Sequence, residues 1–257
     1  MKSIDLFDLK GRTAIVTGGS RGLGLQMARG LAEAGSDVVI CSRKLESCQE
    51  AADAIQSIGV RSLAFRCDLN SDKEIDRMVG EVVRLFGKID ILVNNSGRTW
   101  GAPVEDLKIE DWKKVIDLNI TGTFQITQRV GKEMMKQGGG KIINISSYAG
   151  LMGTDPEYLD AIAYNTSKGA LISFTKDLSV KWAKYGIRVN AIAPGWFVTE
   201  MTQWSTERHG GKMLDHLLIK RFGGEDDLKG AVTFLASKAS DYMTGHILCV
   251  DGGLSAW

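Results

Sequence analysis

Tyr164 and Lys168 stand four residues apart in "YNTSK". On a helix that spacing stacks both side chains on one face. Of the five tyrosines in the chain, this one alone has a lysine at i+4. A phenol titrates near pH 10 when unperturbed, too high to exchange protons readily at neutral pH. An ammonium beside it favours the phenolate and lowers that value. The pair therefore predicts a proton donor to a carbonyl oxygen, and an acceptor in the reverse direction. An isolated pair of this kind is equally an ordinary helix-face contact, so the chemistry needs partners. Ser146 and Ser147 end an apolar run, "KIINISS", and a hydroxyl there could stabilise charge on a reacting oxygen. Strand alternation turns the two to opposite faces, so only one can serve.

A second stretch, "TGGSRGLG" at 17–24, is cleared of bulk apart from one arginine. It follows the apolar run "TAIVTG" and precedes the helix-periodic "GLQMARGLAEAG". Strand-to-helix turns present free N–H groups and a positive helix end, which suit a phosphate. Gly18 can make the sharp turn out of the strand, Gly22 lets a pyrophosphate approach the main chain, and Gly24 lets the helix pack tightly. The bare motif is weak and fits a flexible turn as well.

These residues need elements to hold them. Seven apolar runs, near 13–18, 37–43, 61–69, 89–97, 141–147, 187–195 and 246–253, alternate with helical segments. The longest helices are expected at about 110–136 and 162–185. Ser71 reads as an N-cap, with Glu74 closing a capping box. Short strands without polar alternation belong in a parallel sheet covered on both faces. With no linker, repeat or low-complexity segment, residues 1–257 read as one α/β domain, a doubly wound Rossmann fold with a seven-stranded parallel sheet. Ligands then bind beyond the carboxyl ends of the strands, where strand order reverses. A net charge of +1 gives no footprint for nucleic acid or an anionic membrane. The N-terminus has no signal-peptide core, and no run is long enough to cross a bilayer. The four cysteines have no framework spacing, which predicts buried, reduced thiols in a cytoplasmic protein. Only three histidines occur, His209, His216 and His246, with no metal-ligand spacing, so no metal is expected.

The chain resembles the short-chain dehydrogenase/reductase family over essentially its whole length. The matching pieces stand in order: "TGGSRGLG", "CDL" at 67–69, "NNSG" at 94–97, Asn119 in "DLNITG", "NISS" at 144–147, "YNTSK" at 164–168, "PGWFVT" at 194–199 and "DGG" at 251–253. One departure is Ser96, where the family usually has alanine; the small hydroxyl should not disturb the turn. The resemblance implies a dinucleotide-dependent enzyme interconverting a ketone and a secondary alcohol. It implies that Ser147 is the catalytic serine, with Tyr164 as acid and base. Lys168 and the positive nicotinamide of the oxidised cofactor would assist Tyr164. Asn119 would prop a water beside Lys168.

For the cofactor, the resemblance implies contacts from Gly18, Ser20, Arg21, Gly22, Leu23 and Gly24. Asp68 and Leu69 would meet the adenine, while Asn95 and Gly97 would lie beneath the ribose. Tyr164 and Lys168 also belong to this set. Pro194 and Gly195 would redirect the chain, and the Phe197 backbone and Thr199 hydroxyl would hold the carboxamide. After the second strand, Ser42 and Arg43 stand where an acidic residue would favour NAD. Arg21 and Arg43 could grip a 2′-phosphate with two guanidinium forks, so the expected cofactor is NADP(H).

The pocket walls are expected at 96–103, 148–160 and 196–218, under a polar, irregular lid at about 200–223. Trp100, Met152, Tyr158, Trp196, Met201, Trp204 and Met213 suit an apolar or flexible substrate. Arg98, Arg208 and Lys212 could meet an anion or merely solvate the rim. His209 reads as a solvated loop histidine. Within the family the chain looks most like 3-oxoacyl reductases, especially the rhamnolipid-type branch, and also like gluconate 5-dehydrogenase relatives. Reduction of 3-oxoacyl thioesters is the preferred expectation; keto-sugar acid or polyol oxidation is the alternative, and a non-catalytic dinucleotide sensor a second. The resemblance also implies a homotetramer or homodimer, for which an interface burying Trp257 is expected.

Overall fold

The computed structural model describes residues 2–200 and 202–256. Met201 and Trp257, singled out above, lie outside them. Seven strands form one sheet: β1 (Thr13–Thr17), β2 (Asp37–Ser42), β3 (Ser62–Arg66), β4 (Ile91–Asn94), β5 (Gly140–Ile145), β6 (Ile187–Pro194) and β7 (Ile247–Val250). Their order is β3-β2-β1-β4-β5-β6-β7, and every pairing is parallel. The chain runs outward from β1 to β3, then returns to place β4 on β1's other side. The switch point is therefore the β1/β4 seam, with Ala14 opposite Ile91 and Val16 opposite Val93.

Alternation along the strands builds two cores. Ala14, Val16, Val38 and Ile40 face one side, where α1 (Gly22–Glu33), α2 (Leu45–Gln56) and α8 (Lys229–Ala236) pack. Ile15, Val39 and Cys41 face the other, against α3 (Asp72–Phe86), α5 (Thr123–Lys136) and α6 (Ile162–Trp182). Burial on both faces is why these strands read as continuous apolar runs.

A polar layer crosses the second core. Asn94 Nδ2 donates to Thr127 Oγ1 and to Asn144 Oδ1, both at 2.8 Å, and Asn144 Nδ2 donates to Thr175 Oγ1 at 2.9 Å. It ties β4 and β5 to α5 and α6 one residue before the site begins.

Four expectations change. The helix expected at 110–136 is α4 (Ile109–Ile116) and α5 joined by a π-helical turn, Asp117–Gly122. The lid at 200–223 is not irregular: it carries α7 (Gln203–Asp215). The capping box is half made. Ser71 Oγ accepts the Glu74 N–H, but the Glu74 carboxylate goes to Asp68 N–H and Arg66. Ser71's own N–H is already bound to Asp68 O. Cys249 is exposed, unlike the other three cysteines, because β7 is the sheet's edge. No helix among the described residues is long and apolar enough to cross a membrane.

Candidate active site

Tyr164 and Lys168 lie on the first turns of α6, and their shared face meets the end of β5. The Ser147 side chain faces the Tyr164 hydroxyl and favours its phenolate. Lys168 Nζ sits 5.4 Å from the centre of the Tyr164 ring and donates to Ile145 O at 2.7 Å. The two serines separate as alternation requires. Ser146 Oγ turns away and donates to Lys168 O at 2.8 Å, which leaves Ser147 facing the phenol. Gly150 lets the turn after Ser147 press against α6; a Cβ there would stand 2.5 Å from the Lys168 carbonyl carbon.

Burial decides the electrostatics. It pulls the Lys168 ammonium down to about 8. It also pushes the Tyr164 phenol up, and the Ser147 side chain offsets only part of that. Burial thus outweighs the lowering expected from the ammonium. Lys168 is aimed at a carbonyl and at the ring, and loss of water around the phenolate is the larger effect. Tyr148, buried beside them, is raised for the same reason.

Asn119 sits in the π-helical turn and is completely buried. Its Oδ1 accepts the Arg98 N–H at 2.9 Å, and its Nδ2 donates to Arg98 O at 3.0 Å and Ser167 Oγ at 2.9 Å. Ser167 in turn donates to Tyr164 O at 2.7 Å. The side-chain amide is thus engaged by protein groups on both its oxygen and its nitrogen. It holds the 97–98 loop against α6, close enough that a Cβ on Gly97 would lie 3.7 Å from Lys168 Nζ. π-turns recur where a helix must present one residue out of register.

The glycine loop closes over the β1/β4 seam. Gly18 turns with φ +62°, and Gly22 looks onto open space, where a Cβ would find nothing nearer than the Thr199 methyl at 3.9 Å. Gly24 packs against the loop itself rather than the sheet: a Cβ there would lie 2.4 Å from Gly18 O and 2.5 Å from Asn95 Nδ2. Asn95 has its amide on Thr17 O and Gly18 O, at 3.0 and 3.1 Å. It braces the loop from below. Ser96 keeps the turn, donating its N–H to Thr17 Oγ1.

The adenosine end is assembled in part. Ser20 Oγ and Ser42 Oγ come within 3.4 Å, joining the loop to the end of β2, and Leu23 packs on the core beneath. Asp68 is half-buried, its carboxylate accepting the Asn70 N–H, and Leu69 is packed under Gly122. Arg43 is exposed. Arg21 is ion-paired with Glu200 at the lid's start. Pro194 ends β6, and Gly195 passes so near β7 that a Cβ would lie 2.6 Å from Asp251 Cα. Phe197 is buried and its carbonyl accepts from Thr202 Oγ1; Thr199 Oγ1 also meets Thr202 Oγ1, at 3.2 Å.

Above Tyr164 lies an apolar roof of Tyr148, Trp196, Met213, Leu217 and Leu254. The lid helix is tied to the 152–161 loop. Glu157 accepts from Lys212 at 2.7 Å and meets His209 Nδ1 at 3.3 Å, while Ser205 Oγ donates to Tyr158 O at 2.9 Å. His209 is therefore half-buried between Tyr158 and Trp204 rather than solvated. Arg208 stacks on Trp204, 4.7 Å from its ring centre.

A dinucleotide crevice at a switch point, with serine, tyrosine and lysine at its edge, can reduce a carbonyl. Residues 12–210 match the model of the family described as short chain dehydrogenase. The chain is a short-chain dehydrogenase/reductase. Its relatives within that family divide along the lines the sequence suggested. It is 35% identical over 260 residues to 2-dehydro-3-deoxy-D-gluconate 5-dehydrogenase of Formosa agariphila, covering 99% of this chain and 96% of that protein. It is 36% identical to the 3-oxoacyl-[acyl-carrier-protein] reductase of Aquifex aeolicus, covering 96% and 98%. The crystal structure of a gluconate 5-dehydrogenase from Burkholderia cenocepacia, in complex with NADP and tartrate, superimposes with a TM-score of 0.94 at 36% identity and covers all of both chains.

Sequence reading missed Thr17, Ser167, Glu157 and Glu200. Ser167 could have been found, since it lies inside "YNTSK" three residues after Tyr164. Thr17 opens the glycine motif. Glu157 and Glu200 act on residues 55 and 179 positions away, for which no local signal exists.

Proposed function

We propose that this short-chain dehydrogenase/reductase interconverts a ketone and a secondary alcohol with NADP(H), and that its substrates are 3-oxoacyl thioesters. The observation that carries the reaction is the convergence of the Ser147 side chain and Lys168 on Tyr164, with Lys168 Nζ 5.4 Å from the ring centre. The two hydroxyls converge on one point, where a carbonyl oxygen would accept both. In reduction, Tyr164 gives its proton to that oxygen while Ser147 shares the developing charge. In oxidation, Tyr164 takes the proton back. Lys168 steadies the phenolate, and Asn119 is a positioning residue acting through Ser167. When bound, NADP(H) supplies or accepts the hydride. The N-terminus of α1 would hold its pyrophosphate, with Arg21 and Arg43 toward a 2′-phosphate. Solved relatives with bound NADP support that choice.

The apolar roof supports an acyl substrate. Two lid side chains that could meet a sugar acid's carboxylate, Lys212 and His209, are tied to Glu157, and a third, Arg208, is stacked on Trp204. The second reading, a keto-sugar acid, is favoured by relatives named as gluconate dehydrogenases. Steady-state kinetics with NADPH on acetoacetyl thioesters and 5-ketogluconate decide between them. A kcat/KM higher for the sugar acid overturns the acyl reading. Tyr164→Phe should still bind NADPH yet lose nearly all turnover; a variant keeping its rate overturns the mechanism. We also infer a homo-oligomer, since Phe124, Val180 and Tyr242 are exposed, and a cytoplasmic location, since the cysteines have no disulfide-framework spacing. A monomer by light scattering refutes the former.

A further inference from the structure

At the amino ends of the strands, opposite the crevice, lies a cavity of about 540 Å³. Ligand sites commonly fall in this size range. Its walls carry five cations, Arg12, Lys88, Lys141, Arg188 and Lys238, against three carboxylates, Asp8, Asp90 and Asp241. Asp90 serves two cations at once, Arg12 at 2.7 Å and Lys88 at 3.2 Å. Asp241 pairs with Lys141 at 2.8 Å, whereas Arg188 reaches only its main-chain oxygen, at 2.9 Å. Asp8 accepts a local N–H from Lys10. Lys238 has no ion pair among the described residues.

Two positive charges are therefore left over (five minus three). They surround a lysine that can least afford them. The Lys141 side chain is 12% exposed. Its ammonium is held below the ordinary lysine range, first by burial, with Arg188 and Arg12 adding to it. An anion entering the cavity would relieve that crowding. No aromatic ring lines the walls, so no platform exists for stacking a base or a nicotinamide. Lys141 is the second residue of β5 and Ser147 follows the strand's end, six residues on, so the cavity lies about 20 Å from the reacting hydroxyls.

We propose that this cavity binds a compact phosphate-bearing polyanion, at a site separate from the dinucleotide crevice. The test is calorimetric titration of inorganic pyrophosphate into the full-length protein saturated with NADP, which fills the phosphate positions of the crevice. Binding should appear, and should weaken as salt rises. Lys238→Glu, on the exposed rim, and Lys141→Met should each weaken it about tenfold or more, while Arg21→Ala leaves it unchanged. Should Lys141→Met fail to fold, Lys238→Glu decides alone. No heat at millimolar pyrophosphate, binding that survives Lys238→Glu, or binding lost in Arg21→Ala overturns the proposal.

Discussion

Asn119→Ala tests whether one buried amide holds the site together. The side chain is fully enclosed and makes three hydrogen bonds, two to the Arg98 main chain and one to Ser167. Alanine leaves the Arg98 N–H and C=O without partners. An unsatisfied buried group costs about 1–3 kcal/mol, but Arg98 is half-buried, so the low end applies to each. Ser167 loses little because it still donates to Tyr164 O. The vacated volume adds about 1 kcal/mol. The sum is about 3 kcal/mol, which in a chain of this length lowers Tm by about 6–12 °C. The same loss frees Ser167 and the Gly97–Arg98 loop to move beside Tyr164 and Lys168, so kcat should fall by about a hundredfold. Differential scanning calorimetry and NADPH-coupled rates give the two readouts. Asn119→Asp keeps the acceptor for Arg98 and loses both donors, and should fall between. An unchanged Tm refutes the bracing. A lowered Tm with wild-type kcat refutes its link to the reaction.

Other perturbations reach other parts of the site. Gly24→Ala puts a methyl 2.4 Å from Gly18 O; the loop must shift, and NADP affinity by fluorescence titration should drop about tenfold or more. Alcohol oxidation needs the deprotonated Tyr164–Lys168 pair. With Lys168 near 8, its rate should climb through that region as pH rises, with an apparent midpoint belonging to the pair; a flat profile between about pH 6 and 10 contradicts it (about two units on either side of the midpoint). The same depressed lysine binds its proton less tightly folded than unfolded. Its contribution to stability is therefore gained as pH rises from about 8 toward 10.5, and Lys168→Met should abolish that gain in urea unfolding. Glu200→Gln releases Arg21 toward a 2′-phosphate. Because the pair is exposed, KM for NADP should fall only a few-fold, with NAD unaffected; an equal change for both refutes the assignment.

The seven strands were legible because burial on both faces makes each an apolar run bounded by glycine or polar residues. That β4 returns to β1's side was not legible in any one segment; it followed only from the alternation of strand and helix. The lid helix was hidden. "QWSTERHGGKMLD" has two glycines and only Met213 fully buried, so it carries no apolar stripe, and its contacts with Glu157 and Tyr158 are long-range. The spacing of Tyr164 and Lys168 placed both on one face correctly. The upward push of burial on Tyr164 had no local signal, because it depends on the roof assembled from 148, 196, 213, 217 and 254. The pairing of Arg21 with Glu200, 179 positions away, has no local signal.

Asn95 reaches across the sheet's central seam and grips the glycine bend by its own carbonyls, and Gly24 leaves no slack behind it. The mould for two phosphates is therefore set before any nucleotide arrives. Docking it demands little ordering of the chain, so the heat-capacity change of that step should reflect surface covered and not a loop folding. Whatever flexing the catalytic cycle requires is left to the helix that covers Tyr164.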